Sequence, residues 1–332
     1  LERVWDAVVL GGSHRARSHN SSISKACHEI GKHAKFRLCL TGTPMPHSPL
    51  DLFGQFRFLD AGIFGSAFGQ FRSQYAVQGP LGPYHVVGYK NQDRLAEKMG
   101  LLAHSVRMSD TSIELPPVTH QTLTAPLQDA KAYHELEEHM ITQVKDGTIT
   151  AANALVKMLR LQQWTSGFCI DEYGAEILTG TEKRDLLQDL LADIPPDEPV
   201  VVFGNFVRSL DFIAEVAQKL GRTYGEISGR RKDLTPNAEM PPGISVLGVQ
   251  IAAGGVGIDL TRARYAVYYD HGWSLGNYEQ SLARVSRPGQ TRPVMYYHLV
   301  VERTVDVQTV KALEKKKQVV EVVIEHMRGS TR

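Results

Sequence analysis

The sequence predicts an α/β protein whose strands are parallel and buried between helices. Two observations carry that expectation. Short apolar runs recur at residues 4–10, 36–40, 200–203, 246–249, 265–269 and 294–300, most of them closed by glycine or polar turn residues. Segments with helical apolar spacing lie between them, such as 210–220, which is apolar at 210, 213, 214, 217 and 220 and is stopped by Gly221. A chain of 332 residues is long enough for two domains with sizeable cores.

Composition narrows the function classes. The hydrophobic fraction of 42% and charged fraction of 22% are those of an ordinary globular protein. The formal net charge is +1, so any nucleic-acid site must be a local patch rather than a global basic field. No apolar run approaches membrane-spanning length and no signal peptide is visible, which excludes a membrane partner from the reading and points to an intracellular protein, cytoplasmic or nuclear or nucleoid-associated. Cys27, Cys39 and Cys169 show no metal spacing and read as reduced core thiols; no metal-ligand set is expected. The chain opens on Leu1 directly before a strand, which reads as a piece of something longer, with room for further domains or protein partners.

The most informative stretch is 244–300. A strand at 246–249 runs into a turn with Gly254, Gly255 and Gly257, then Asp259. Three glycines in four residues let backbone approach a phosphate or another backbone closely. A second strand at 265–269 leads to a loop carrying Trp273. Asn277 is placed to cap a helix, with Gln280 three residues on as in a capping box. Arg284 and Arg287 are three apart, so they are expected on one helix face before Pro288 and Gly289 stop it. Two guanidiniums aimed one way suit a polyphosphate.

The run AAGGVGIDLTRARYAVYYDHGWSLGNYEQSLARVSRPGQTRPV closely resembles motifs V and VI of the Swi/Snf-type DNA translocases, which are superfamily-two helicase-like ATPases. The family often has His where this chain has Ser286. The strand at 4–10 followed by Gly11, Gly12, Ser13 and His14 resembles motif II, except that the family has Asp-Glu in place of Gly11-Gly12. Those carboxylates hold Mg²⁺ and orient water in the family, and glycine can do neither. The strand at 36–40 ending in Thr41, Gly42, Thr43 and Pro44 matches motif III.

The other elements follow in order. Helices are expected at 26–32, 50–59 and 93–102, with an aromatic-rich segment at 62–75 whose helical spacing reads as core. A strand is expected at 118–127, and helices at 130–145, 151–164 and 183–194. After the strand at 200–203 come Asn205 and Arg208, and residues 227–231, with Arg230 and Arg231, resemble a further family motif that meets a DNA strand. A long helix is expected at 304–326, carrying Lys315, Lys316 and Lys317.

The resemblance implies two RecA-like lobes with parallel sheets, the first incomplete, plus helical insertions. Its boundaries fall at 1–128 for the first lobe with its protrusion, 129–180 for a helical protrusion and linker, 181–303 for the second lobe and 304–332 for a brace helix. It implies an ATP-dependent translocase on double-stranded DNA, with ATP and Mg²⁺ as cofactors. Arg284 and Arg287 would face the γ-phosphate, Gly255, Gly257, Asp259, Gly11, Gly12 and His14 would lie near the nucleotide, and Gln280 would couple nucleotide to DNA. Thr41, Gly42, Thr43, Asn205, Arg230 and Trp273 would lie near DNA. No phosphate loop of the G-x-x-x-x-G-K-[ST] kind occurs in the chain, so as written it is expected to be inactive. Two alternatives remain open: a catalytically silent DNA-binding or scaffold module, and an RNA helicase-like protein.

Overall fold

The computed structural model describes residues 4–80, 85–144, 147–150, 154–253 and 257–330. The chain forms two compact units: residues 1–112 with 274–276 and 313–332, and residues 113–273 with 277–312.

In the first unit, Trp5–Gly11 (β1) and Ala34–Leu40 (β2) pair in parallel, with Val9 beside Leu38 and Gly11 beside Leu40. They are joined through Ser22–Lys32 (α1), whose first turn is capped by the Ser21 hydroxyl accepting from Ser24 N at 3.1 Å. Leu52–Leu59 (α2) lies against the turn at Ser13–Ala16; a Cβ at Gly54 would sit 2.1 Å from the Ala16 carbonyl oxygen, so only glycine permits that approach. Ala61–Phe64 (α3), Phe68–Tyr75 (α4), the hairpin of Ala76–Gln78 (β3) and Val86–Tyr89 (β4), and Gln92–Gly100 (α5) follow. The aromatic segment is core, as its spacing implies: Phe53, Phe56, Phe64, Phe71 and Tyr75 are buried, with neighbouring rings such as Phe64 and Phe71 5.0 Å apart. One face of the ribbon is open. Val9, Phe36, Leu38 and Leu40 are 54, 71, 49 and 53% exposed, because a period of two puts them on the same side.

The second unit is built on a six-stranded parallel sheet in the order β11-β12-β10-β13-β14-β5. Its strands are Val118–Ala125 (β5), Val200–Gly204 (β10), Tyr224–Ile227 (β11), Val246–Gln250 (β12), Tyr265–Tyr268 (β13) and Val294–Val301 (β14). Alternate residues of β10 serve opposite cores. Val200 and Val202 join Leu187, Leu210 and Ile213 on one side, while Val201 and Phe203 join Leu247, Ile258 and Val285 on the other. That double burial is why the strand reads as a continuous apolar run. Between β5 and β10 lie Ala130–His139 (α6), the hairpin Ile141–Val144 (β6) and Gly147–Thr150 (β7), Ala154–Thr165 (α7), the hairpin Phe168–Ile170 (β8) and Glu176–Leu178 (β9), and Glu182–Asp193 (α8). Val207–Lys219 (α9) connects β10 to β11, Leu275–Val285 (α10) precedes β14, and Val305–Ser330 (α11) closes the chain.

The α/β class and the parallel second-lobe sheet match expectation; three details differ. The strand assigned to the first lobe pairs with β14 along all eight of its residues, Val118 beside Val294 through Ala125 beside Val301, so it belongs to the second sheet. The helix expected at 130–145 ends at His139, where Met140 takes a left-handed backbone with φ 58° and β6 begins. Only Cys169 is a core thiol, pushed up to about 12 by burial, while Cys27 and Cys39 are half-buried.

Two polar devices reach into the interior of this unit. Lys183, 1% exposed, holds its ammonium 2.8 Å from Asp306 Oδ2, out of line for a hydrogen bond but within ion-pair distance. Asp306 accepts from Thr165 Oγ1 at 2.9 Å and from Val301 N at 3.0 Å. The second device is a chain of imidazoles: His120 Nδ1 lies 3.1 Å from His298 Nε2, and His298 Nδ1 lies 2.9 Å from His271 Nε2.

Asp306→Ala is expected to destabilise this unit by about 3–5 kcal/mol, since it strands a buried ammonium, and urea unfolding measures it. The imidazole chain sets a pH dependence. Burial, with His120 adding, holds His298 down to about 4 from its ordinary 6.5. Between those values the unfolded chain binds a proton that the folded chain refuses. Stability is therefore full above pH 6.5 and falls as pH drops towards 4, by on the order of 3 kcal/mol from this group. His298→Gln should lessen that slope in urea titrations across the same window, the remainder coming from His271, which burial also holds well below its ordinary value.

Candidate nucleotide and nucleic-acid site

Open parallel sheets bind ligands beyond the carboxyl ends of their strands, above all where the chain reverses its direction across the sheet. Here the reversal falls between β10 and β13: the chain leaves β10 for β11 on one side, and β13 and β14 lie on the other. Asn205 follows β10 and Asp270 follows β13. Asn205 N donates to Asp270 Oδ1, and Oδ2 accepts from Ser209 Oγ at 2.5 Å and Ser166 Oγ at 3.2 Å. Burial raises the Asp270 carboxyl above the usual range, against the pull of Lys183 and these donors. A Cβ at Gly272 would lie 3.1 Å from Asn205 Oδ1, so the loop and Asn205 are in close contact. Asp270 has no role in the sequence reading; its only signal is a carboxylate ending a buried strand.

The loop after β12 meets the end of α10. Leu260 N donates to the Arg284 carbonyl at 3.1 Å, and Arg287 Nη1 lies 3.3 Å from Ile258 O and 3.9 Å from Asp259 Oδ2. Thr261 donates to Asp259 Oδ1 through its N at 2.9 Å and its hydroxyl at 2.7 Å. Burial pushes the Asp259 carboxyl up, but the Thr261 bonds and the Arg287 charge outweigh it, and the group stays below the usual carboxylate range. Arg284 Nε is buried without a hydrogen-bond partner among the described residues, and burial together with Arg287 lowers its pKa. Gly257 is exposed, and a Cβ there would meet nothing within 4 Å. Gly255 lies outside the described residues.

The two arginines converge, though not as one helix face. The helix ends at Val285, leaving Arg287 in the turn that Gly289 closes with φ 105°. It also starts at Leu275, so Asn277 lies inside it rather than at its cap, and Gln280 is a half-buried residue of its middle. Arg230, beyond β11, is tied to carboxylates: Nε to Glu226 Oε1 at 2.8 Å, and Nη2 to Glu226 Oε2 at 2.9 Å and to Asp211 Oδ1 at 2.5 Å. Those partners raise its pKa further. Trp273 is partly buried against the cluster of Tyr133, Leu136 and Trp164 from α6 and α7.

In the first unit, Gly11 and Gly12 end β1 and Thr41 to Thr43 follow β2. His14 Nδ1 lies 3.0 Å from Thr41 Oγ1, and Thr41 Oγ1 also accepts from Thr43 N at 3.1 Å. Burial, with Arg15 and Arg17 nearby, lowers the His14 pKa. Gly12 is left-handed, with φ 67° and its N donating to Leu40 O at 2.8 Å. Gly42 has open space where a Cβ would stand. The residues expected around nucleotide and DNA in this half therefore form one cluster at the carboxyl end of the ribbon.

Residues 1–167 match the SNF2-related domain, and residues 182–289 match the helicase conserved C-terminal domain. The chain belongs to the SNF2-related family. It is 25% identical over 326 residues to an uncharacterized ATP-dependent helicase of Mycoplasma pneumoniae, covering 94% of this chain and 30% of the relative. It is 25% identical over 354 residues to the human SWI/SNF-related matrix-associated actin-dependent regulator of chromatin subfamily A member 1, covering 98% of this chain and 32% of that protein. A putative ATP-dependent helicase/translocase of Bacillus subtilis is 23% identical over 348 residues, covering 97% and 36%. The SNF2-related chain thus spans about a third of the length of these curated relatives. Among solved structures it is similar to the Sulfolobus solfataricus SWI2/SNF2 ATPase core in complex with dsDNA, with TM-score 0.45 and 21% identity over 99% of this chain and 70% of that one. Among the described residues no helix is long and apolar enough to cross a membrane.

Proposed function

We propose that this SNF2-related chain is part of an ATP-dependent translocase on double-stranded DNA, and that its second lobe presents Arg284 and Arg287 to the γ-phosphate of ATP. One observation carries the reading: both arginines border the 257–260 segment at the carboxyl edge of the sheet, and the buried Arg284 Nε has no hydrogen-bond partner among the described residues. Relatives named as ATP-dependent helicases and a translocase support the reaction class. Gly257 and Asp259 would flank the nucleotide, and Gln280, on the same helix as Arg284, would link it to the DNA side. Thr41, Gly42 and Thr43 in the first unit, and Asn205, Arg230 and Trp273 in the second, would each contact DNA. Arg230 would then exchange Glu226 and Asp211 for phosphate oxygens.

The residues present do not fit Mg²⁺. Gly11 and Gly12 carry no carboxylate, and among the described residues no group of three His, Cys, Asp or Glu side chains could hold a metal ion. No phosphate loop occurs in the sequence. We therefore read this chain, on its own, as silent in hydrolysis: the arginines can stabilise charge on a transferring phosphoryl group only if another element positions it.

In the intact protein, Arg287→Ala should lower DNA-stimulated ATP turnover by about 10³-fold while leaving the KM for ATP nearly unchanged, the scale of an arginine finger. A change within about twofold would remove Arg287 from that role. The isolated chain should release no phosphate from ATP in the presence of duplex DNA. Turnover near ~1 s⁻¹, ordinary for an enzyme, would show that the catalytic groups lie elsewhere.

A further inference from the structure

Gln290 is 6% exposed, and both ends of its side-chain amide are bonded to backbone. Its Nε2 lies 3.0 Å from Thr261 O, 3.0 Å from Ala263 O and 3.4 Å from Val285 O. Its Oε1 accepts from Thr291 N at 3.0 Å and Arg292 N at 3.1 Å. Carbonyls on one side and N–H groups on the other leave only one orientation for the amide. The side chain joins three segments: the loop after β12, the last turn of α10 and the approach to β14. Its backbone N closes the turn by donating to Arg287 O at 3.0 Å.

We propose that Gln290 is the positioning residue of the arginine pair, fixing the turn that carries Arg287 against the loop that carries Asp259. The reach is short in both directions. Thr261, whose carbonyl Gln290 holds, gives both its N–H and its hydroxyl to Asp259, while Arg287 and Arg284 sit on the two segments whose ends Gln290 joins. Without the amide, three carbonyls and two N–H groups lose their common partner, and the 286–289 turn keeps its backbone bonds and the long contacts of Arg287 to Ile258 O and Asp259. This assignment rests on the arginine reading above for its catalytic consequence, but not for its geometry.

The two parts are tested separately. In this chain, the Asp259 carboxyl is titrated by ¹³C NMR in wild type, Gln290→Met, Gln290→Glu and Gln290→Asn, with thermal unfolding as the check that each is folded. Gln290→Met removes every bond, Gln290→Glu sets carboxylate oxygens against three carbonyls, and Gln290→Asn keeps an amide too short to reach both sides. Each folded variant should move the Asp259 titration up towards the ordinary carboxylate range, Asn least. If Met does not fold, the Asn variant is decisive. A folded variant with an unmoved Asp259 overturns the proposal. In the intact protein, the same variants should lower kcat for DNA-stimulated ATP hydrolysis by about tenfold or more with KM for ATP within about twofold, the mark of positioning lost rather than binding lost. A moved titration with unchanged kcat supports Gln290 as the positioner and overturns the arginine reading instead.

Discussion

Two carboxylates and one ammonium, all buried, hold the carboxyl edge of the large sheet together. Lys183 enters from α8, Asp306 from the start of α11 and Asp270 from the end of β13. Charges taken out of water this far are stable only when each keeps a partner of opposite sign or several donors. The donors are therefore part of the architecture. Thr165 and Val301 serve Asp306, while Ser166, Ser209 and Asn205 serve Asp270. The helical insertion, α9, β13 and the start of α11 are fixed relative to one another by polar satisfaction as much as by apolar packing. The site at the strand ends inherits its geometry from that requirement.

The two units solve the parallel-sheet problem differently. In the second, residues of β10 alternate into two cores, and helices cover both faces. In the first, two strands present an open apolar face, and cohesion comes from α2, α4 and the tilted and edge-to-face rings of Phe53, Phe64, Phe71 and Tyr75. The candidate residues of each unit nonetheless stand at the same place, the carboxyl ends of parallel strands.

Much of this was legible in residue order. The strands of 244–300 declare themselves because buried parallel strands are apolar throughout and short. The helix of 207–219 and its Gly221 stop are local events, and so is the aromatic core of 62–75. What escaped depended on distant partners. The strand at 118–125 could join either sheet, and only its pairing with β14 decides. Arg230 looks like a free cation until Glu226 and Asp211 are brought to it. Trp273 sits in a loop by sequence, yet packs on α6 and α7. Arg287 missed its helix by two residues because Val285 ends it, and the convergence with Asp259 survives through the turn instead.

Gly12 makes the exit from β1 selective about side chains. Its backbone is left-handed at φ 67°, and its N–H is committed to Leu40 O. A carboxylate side chain placed there meets a conformation that disfavours L-residues by about 1–2 kcal/mol. Position 11 carries no such cost, since a Cβ there meets nothing within 4 Å, so an acidic side chain is accepted at 11 more readily than at 12. The bend thus acts as a filter on side chains, open at one position and selective at the next.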